Sequence, residues 1–149
     1  MDTIKGTQIT FRLFEAADLL EFRSWFADAE LARRLSYPTD EWFDYVKGPA
    51  VRCWAALDAT GQMIAELQID QDCNRSGYFD IAIKPPLRRQ GLGTKVLKAF
   101  IDGPGRIYTT LEAAVEPGNI ASLACLRRCG FDEHLHPDED GFMRFTKRL

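Results

Sequence analysis

The sequence has no apolar run near the roughly 20 residues that a membrane span requires. Its first residues, Met1-Asp2-Thr3-Ile4-Lys5-Gly6, lack the apolar core of a secretory signal peptide. A cytoplasmic location without membrane contact is therefore expected. There is no excess of cations either. Nineteen Lys and Arg stand against 22 Asp and Glu, a net charge of −3, which argues against a general nucleic-acid binder. The four cysteines, Cys53, Cys73, Cys125 and Cys129, form no CxxC pair and have no zinc-ligand spacing. Only His134 and His136 could join Cys125 and Cys129, so no metal site is expected and the thiols read as reduced and mostly core-filling. No internal repeat, low-complexity tract or linker interrupts the chain, which reads as one domain over residues 1–149.

What is present is ordinary for a globular domain: 46% hydrophobic and 28% charged residues, in a chain long enough to bury about two-thirds of its unfolded surface. Alternation over Thr7–Phe14 predicts a strand. A helical pattern follows from Ala17 to Leu35, broken at Tyr37-Pro38 because proline biases its predecessor away from helix. Thr39 or Asp40 can cap a short helix carrying Trp42, Phe43 and Tyr45. Val51–Asp58 and Met63–Asp70 read as strands around the turn Ala59-Thr60-Gly61-Gln62. Asp72–Gly77 reads as a second turn, leading to the strand Tyr78–Lys84. An amphipathic helix burying Leu92, Val96, Leu97, Phe100 and Ile101 stops at Asp102-Gly103-Pro104-Gly105. Arg106–Val115 reads as a strand, Asn119 as the cap of a helix to about Arg128, and Phe131–His136 with Phe142–Leu149 as a closing hairpin. This order, β-α-α-β-β-β-α-β-α-β-β, predicts a mixed α/β domain with at least one parallel crossover.

The most informative stretch is Arg88-Arg89-Gln90-Gly91-Leu92-Gly93-Thr94. A strand leads into a glycine turn, and a helix N-terminus opens beside arginines, an arrangement suited to a phosphate. The basic residues cluster here, at Arg88, Arg89, Lys95 and Lys98, and again at Arg127 and Arg128, as a small polyanionic ligand requires. A dinucleotide fingerprint would need glycine where Val96 stands. A Walker loop would need GxxxxGK followed by Ser or Thr.

This stretch resembles the signature Arg/Gln-x-x-Gly-x-Gly/Ala of the GNAT family, the acyl-CoA N-acyltransferases. Ile81-Ala82-Ile83-Lys84-Pro85 resembles that family's fourth strand and proline turn. Asn119-Ile120-Ala121-Ser122, followed by Cys129-Gly130-Phe131, resembles its second motif. The resemblance implies an α/β GNAT fold, a mixed and mostly antiparallel splayed sheet flanked by helices. It implies acetyl-CoA as co-substrate and no metal. Arg88, Arg89, Gln90, Gly91, Leu92, Gly93 and Thr94 would then hold the pyrophosphate. Ile81, Ala82 and Ile83 would pair with the pantetheine arm, and a backbone N–H there would stabilise charge on the thioester oxygen. Asn119 and Ser122 would complete the cofactor site.

Amine acylation also needs a base for the ammonium and a proton for the leaving thiolate. The tyrosine that many relatives use for the thiolate is replaced by Leu126. The glutamate that some relatives use as base is replaced by Ala114, with Glu112 two residues upstream on the same strand face. Asp80, placed like the proposed base of aminoglycoside 6′-N-acetyltransferases, and Glu112 are the catalytic candidates. Either could instead attract a cationic amine. One or two of Trp25, Trp42, Phe43 and Tyr45 are expected in the acceptor pocket. His134 and His136 are expected to share a face of the penultimate strand at the surface. The expected activity is acetyl transfer to a primary amine of a small molecule, by direct attack in a ternary complex. The alternatives are transfer to a protein N-terminus, as in ribosomal-protein acetyltransferases, or a non-catalytic acyl-CoA-binding module. The acceptor, the acyl chain and the oligomeric state are not specified by sequence.

Overall fold

A computed structural model describes residues 8–149. Met1–Gly6 and Thr7, which opens the first expected strand, lie outside the described residues. The elements are β1 (Thr10–Leu13), α1 (Ala16–Ser24), α2 (Ala29–Arg34), α3 (Asp40–Val46), β2 (Val51–Leu57), β3 (Met63–Gln71), β4 (Ser76–Ile83), α4 (Leu92–Asp102), β5 (Thr110–Val115), α5 (Ile120–Arg128), β6 (Asp132–Glu133) and β7 (Met143–Arg148). They build one seven-stranded sheet in the order β1-β2-β3-β4-β5-β7-β6. Every neighbouring pair is antiparallel except β4 and β5, which run parallel across the α4 crossover.

Period-two alternation divides the side chains between two cores. Leu67 and Ile69 of β3 pack with Val96, Leu97 and Phe100 of α4 and with Leu123 and Leu126 of α5. Cys53, Ala55 and Ala82 face the other way, against Phe22, Trp25 and Leu31 of the N-terminal helices. Trp25 is thus core rather than pocket wall. The caps fall where short polar side chains stand: Thr39 Oγ1 accepts from the N–H of Trp42 at 3.1 Å and Asn119 Oδ1 from that of Ser122 at 3.3 Å.

Three expectations change. The first helical pattern is broken by a 3-10 turn at Trp25–Ala27, after which Asp28 caps α2 by accepting from the N–H of Leu31 at 3.0 Å. The strand expected from Arg106 starts at Thr110, because Pro104–Ile107 form another 3-10 turn that carries Tyr108 into the core. The penultimate strand is only Asp132–Glu133. His134 and His136 therefore lie beyond it, exposed, with His134 Nε2 2.9 Å from Thr146 Oγ1.

Candidate active site

The parallel ladder between β4 and β5 is short. Ser76, Gly77 and Tyr78 pair with Thr110, Leu111 and Glu112, and beyond them the two strands diverge. The edges of β4 and β5 that face each other past this point have no strand partner, so their peptide groups are available to another chain-like ligand. Between them lies a groove of about 910 Å³, floored by Phe79–Ile83 and Ala113–Glu116 and walled by the glycine loop, α4 and α5.

The loop is shaped by left-handed backbone. Arg89 has φ 64° and Gly91 φ 74°. A Cβ on Gly91 would meet no atom within 4 Å, so glycine is favoured there by its φ and not by crowding. Gly91 is the N-cap of α4 and brings no side-chain cap; the first intrahelical bond is Lys95 N–H to Gly91 O at 3.3 Å. The N–H groups of Leu92, Gly93 and Thr94 therefore remain free at the groove wall, at the positive end of an eleven-residue helix. Those donors fit a pyrophosphate.

Of the sequence candidates, Ile81, Ala82, Ile83, Arg88, Arg89, Gly91, Leu92, Gly93, Thr94, Asn119 and Ser122 all line this groove. Gln90 does not; its Nε2 donates to Pro86 O at 3.5 Å. Arg88 is at the groove but already engaged, 2.8 Å from Asp28 and 3.5 Å from Glu30. It ties the loop to α2, whose Arg34 reaches Glu116 past the end of β5 at 3.3 Å. The helix thus bridges both arms. Arg127 and Arg128 separate: Arg127 forms a two-pronged pair with Glu133 at 2.9 and 3.0 Å, whereas Arg128 lines the groove.

Sequence reasoning placed Cys125 among core-filling thiols, but it lines the groove. Its Sγ would stand 3.7 Å from a Cβ on Gly93. The Cys129 thiol, with Thr94 and Arg128 adding and desolvation opposing, lowers it to about 7. Leu126, at the position of the usual tyrosine, is 3% exposed and offers no proton.

The two catalytic candidates occupy different environments. Asp80 is exposed along the groove. Even so, desolvation by the surrounding walls, and then the charge of Asp70, raise its carboxyl above the ordinary aspartate value. Directly opposite on β3 is Gln68, which accepts from Trp42 Nε1 at 2.9 Å and donates to Asp70 at 2.8 Å. Tyr45 donates its hydroxyl to the other Asp70 oxygen. Trp42 and Tyr45 therefore brace this face of the sheet, beside Asp80, from α3. Glu112 instead sits at the closed apex, half-buried, where it accepts from Ser76 Oγ at 3.1 Å and raises the Tyr78 phenol. It is not among the residues that line the groove.

Behind Asp80 is a residue the sequence reading passed over. Glu66 lies in register between Ala55 and Ala82 and is 2% exposed. The Cys53 thiol donates to it at 3.1 Å. Desolvation, with the charge of Asp80 adding and the thiol opposing, raises its carboxyl to about 8, so it holds its proton at neutral pH. The available signal was weak: an acidic residue on a strand opposite small residues.

Among the described residues no His, Cys, Asp and Glu cluster fit for a metal occurs, and no helix is long and apolar enough to cross a membrane. The fold is shared with known structures. One is a spermidine N-acetyltransferase from Vibrio cholerae in complex with CoA and spermine, with TM-score 0.79 and 19% identity over 95% of both chains. An aminoglycoside acetyltransferase in complex with coenzyme A and kanamycin has TM-score 0.79 and 18% identity over 95% of both chains. A domain from Methanocaldococcus jannaschii has TM-score 0.79 and 16% identity over 96% of this chain and 99% of that one. No curated protein sequence matches the chain. Residues 19–131, most of the chain, match the model of the acetyltransferase (GNAT) family. With the splayed β4–β5 pair and the open N-terminus of α4, this chain belongs to the GNAT family of acetyltransferases.

Proposed function

We propose that this protein transfers the acetyl group of acetyl-CoA to a primary amine of a small molecule, by direct attack in a ternary complex. The observation that carries the reading is the placement of Asp80, a carboxyl of raised pKa in the same groove as the free N–H groups of α4. Acetyl-CoA supplies an activated thioester. The chain supplies position: the Leu92–Thr94 amides and Arg89 and Arg128 hold the phosphates, and the β4 edge at Ile81–Ile83 aligns the arm so that the thioester lies near Asp80. Asp80 accepts a proton from the bound ammonium, directly or through water, which frees the nitrogen lone pair to attack the thioester; a raised carboxylate is better suited to this than an ordinary one. Leu126 leaves the departing thiolate to be protonated from solvent.

A small cationic acceptor fits the acidic groups at and beside the groove, Asp80, Asp70 and Glu116. The similar structures hold spermine and kanamycin, both amine-bearing small molecules. The test is release of free thiol from acetyl-CoA across polyamines, aminoglycosides, amino acids and short peptides. Amine-dependent release with the polyamines or aminoglycosides supports the reading. Release only with peptides shifts it to a protein N-terminus, and binding without release to any amine identifies an acyl-CoA-binding module.

A further inference from the structure

Most arginines of the chain stand within ion-pair distance of a carboxylate: Arg12, Arg23, Arg33, Arg34, Arg88, Arg127 and Arg144. Those with no carboxylate partner among the described residues are Arg52, Arg75, Arg89, Arg106, Arg128 and Arg148. All but Arg52 divide between two concavities. Arg89 and Arg128 line the groove between the splayed strands. Arg75, Arg106 and Arg148 line a second concavity of about 420 Å³ at the opposite, closed end of the β4–β5 pair, together with Leu149, which carries the terminal carboxylate and makes no ion pair with them.

These three arginines arrive from three separate parts of the chain. Arg75 belongs to the β3–β4 turn, held at φ 59° while its carbonyl accepts from Thr109 N–H at 2.9 Å. Thr109 Oγ1 also donates to Asn74 O at 2.9 Å, which fastens the turn to the entry of β5. Arg106 projects from the 3-10 turn Pro104–Ile107, and Arg148 ends β7 in register with Thr110. The three exposed guanidinium groups repel one another only weakly through water, and an anion bridging them would turn that repulsion into attraction. In a chain of net charge −3, carboxylates were available to neutralise them and do so at seven other arginines.

We infer that this second concavity is a binding site for a small multivalent oxyanion, a phosphate or polycarboxylate, separate from the coenzyme A groove. Guanidinium groups brought together from three segments of the chain suit tetrahedral or planar oxyanions, and Thr109 and Thr110 line the same hollow. The hollow's size suits a small molecule rather than a polymer.

The test is calorimetric titration of tripolyphosphate and of citrate into the full chain saturated with coenzyme A, at matched ionic strength with NaCl as control. The expected result is one-site binding that coenzyme A does not displace. It should weaken at least tenfold in each of Arg106→Gln and Arg148→Gln and be unchanged in Arg89→Gln. Tighter binding of tripolyphosphate assigns a phosphate, and tighter binding of citrate a carboxylate. Loss of binding on saturation with coenzyme A, sensitivity to Arg89→Gln alone, or an effect no larger than that of NaCl would overturn the proposal.

Discussion

The two halves of the groove are built from different material. On the donor side, the contacts offered are mostly main chain: the amides of Leu92–Thr94 and the unpaired edge of β4. On the acceptor side they are side chains, with Asp80 tuned by Asp70 and flanked by Gln68, Trp42 and Tyr45. A main-chain site tolerates many side chains but depends on backbone shape. A side-chain site depends on the identity of one carboxyl and of the groups that tune it. Substitutions should therefore fail differently on the two sides.

The largest effect is expected from Asp80→Asn. With Asp80 as the proposed general base, its loss should lower kcat by about 10²–10⁴-fold, while coenzyme A affinity stays within about twofold of wild type. In the wild type, the raised Asp80 pKa places the acid limb of the kcat profile above the range of an ordinary aspartate: activity falls as pH drops through that value and the base becomes protonated. Asp80→Asn removes this limb, and Glu112→Gln leaves it in place. If Glu112→Gln removes the limb and Asp80→Asn does not, the roles are reversed.

The donor side breaks in the opposite sense. Gly91→Val forces a β-branched residue into φ 74°, a cost of about 1–3 kcal/mol that rearranges the loop. Coenzyme A affinity should fall at least tenfold by calorimetry, with the acid limb of the residual activity unmoved.

A third substitution tests the layer beneath the acceptor side. The folded pKa of Glu66, about 8, lies above its unfolded value. The native state therefore binds more protons than the unfolded one between those values, and stability falls as pH rises from about 4 to 8. Glu66→Gln mimics the protonated form and should stabilise the fold by up to about 3 kcal/mol at pH 7, with the gain vanishing near pH 4. A pH-independent difference in urea unfolding would show that Glu66 is ionised in place.

The smallest effect concerns Cys125, whose thiol is lowered to about 7 at the groove wall. Iodoacetamide should modify it faster than the buried Cys53 and Cys129. Coenzyme A should slow that reaction severalfold without protecting exposed Cys73. Peptide mapping by mass spectrometry checks both.

The same contrast explains what could be read in the sequence. The glycine loop and the helix caps were legible because backbone shape leaves local marks: glycine at a left-handed turn, an unoccupied helix cap, Asn119 ahead of α5. The helix ending at Arg128 and the strand opening at Val51 fell where local pattern put them. The Arg88–Asp28 pair spans 60 residues of sequence, and no periodicity reveals that Arg88 ties the loop to α2 as well as lining the groove. Glu66 reads as one more polar position alternating with Ala65 and Leu67. Only the packing of the N-terminal helices over that face turns it into a buried acid. Cys125 likewise became a groove residue through the approach of α5 to Gly93, a tertiary fact. The short β6 strand was misjudged because its apolar neighbours suggested a longer run than the ladder supports.

The most direct test of the central claim is calorimetric titration of coenzyme A into the wild-type protein and into Gly91→Val, each with a parallel thermal melt. The account predicts one site per chain in the wild type. Tm should rise with ligand concentration as linkage requires, and both responses should weaken at least tenfold in the variant. A wild-type protein that shows neither binding heat nor a shift in Tm would contradict it.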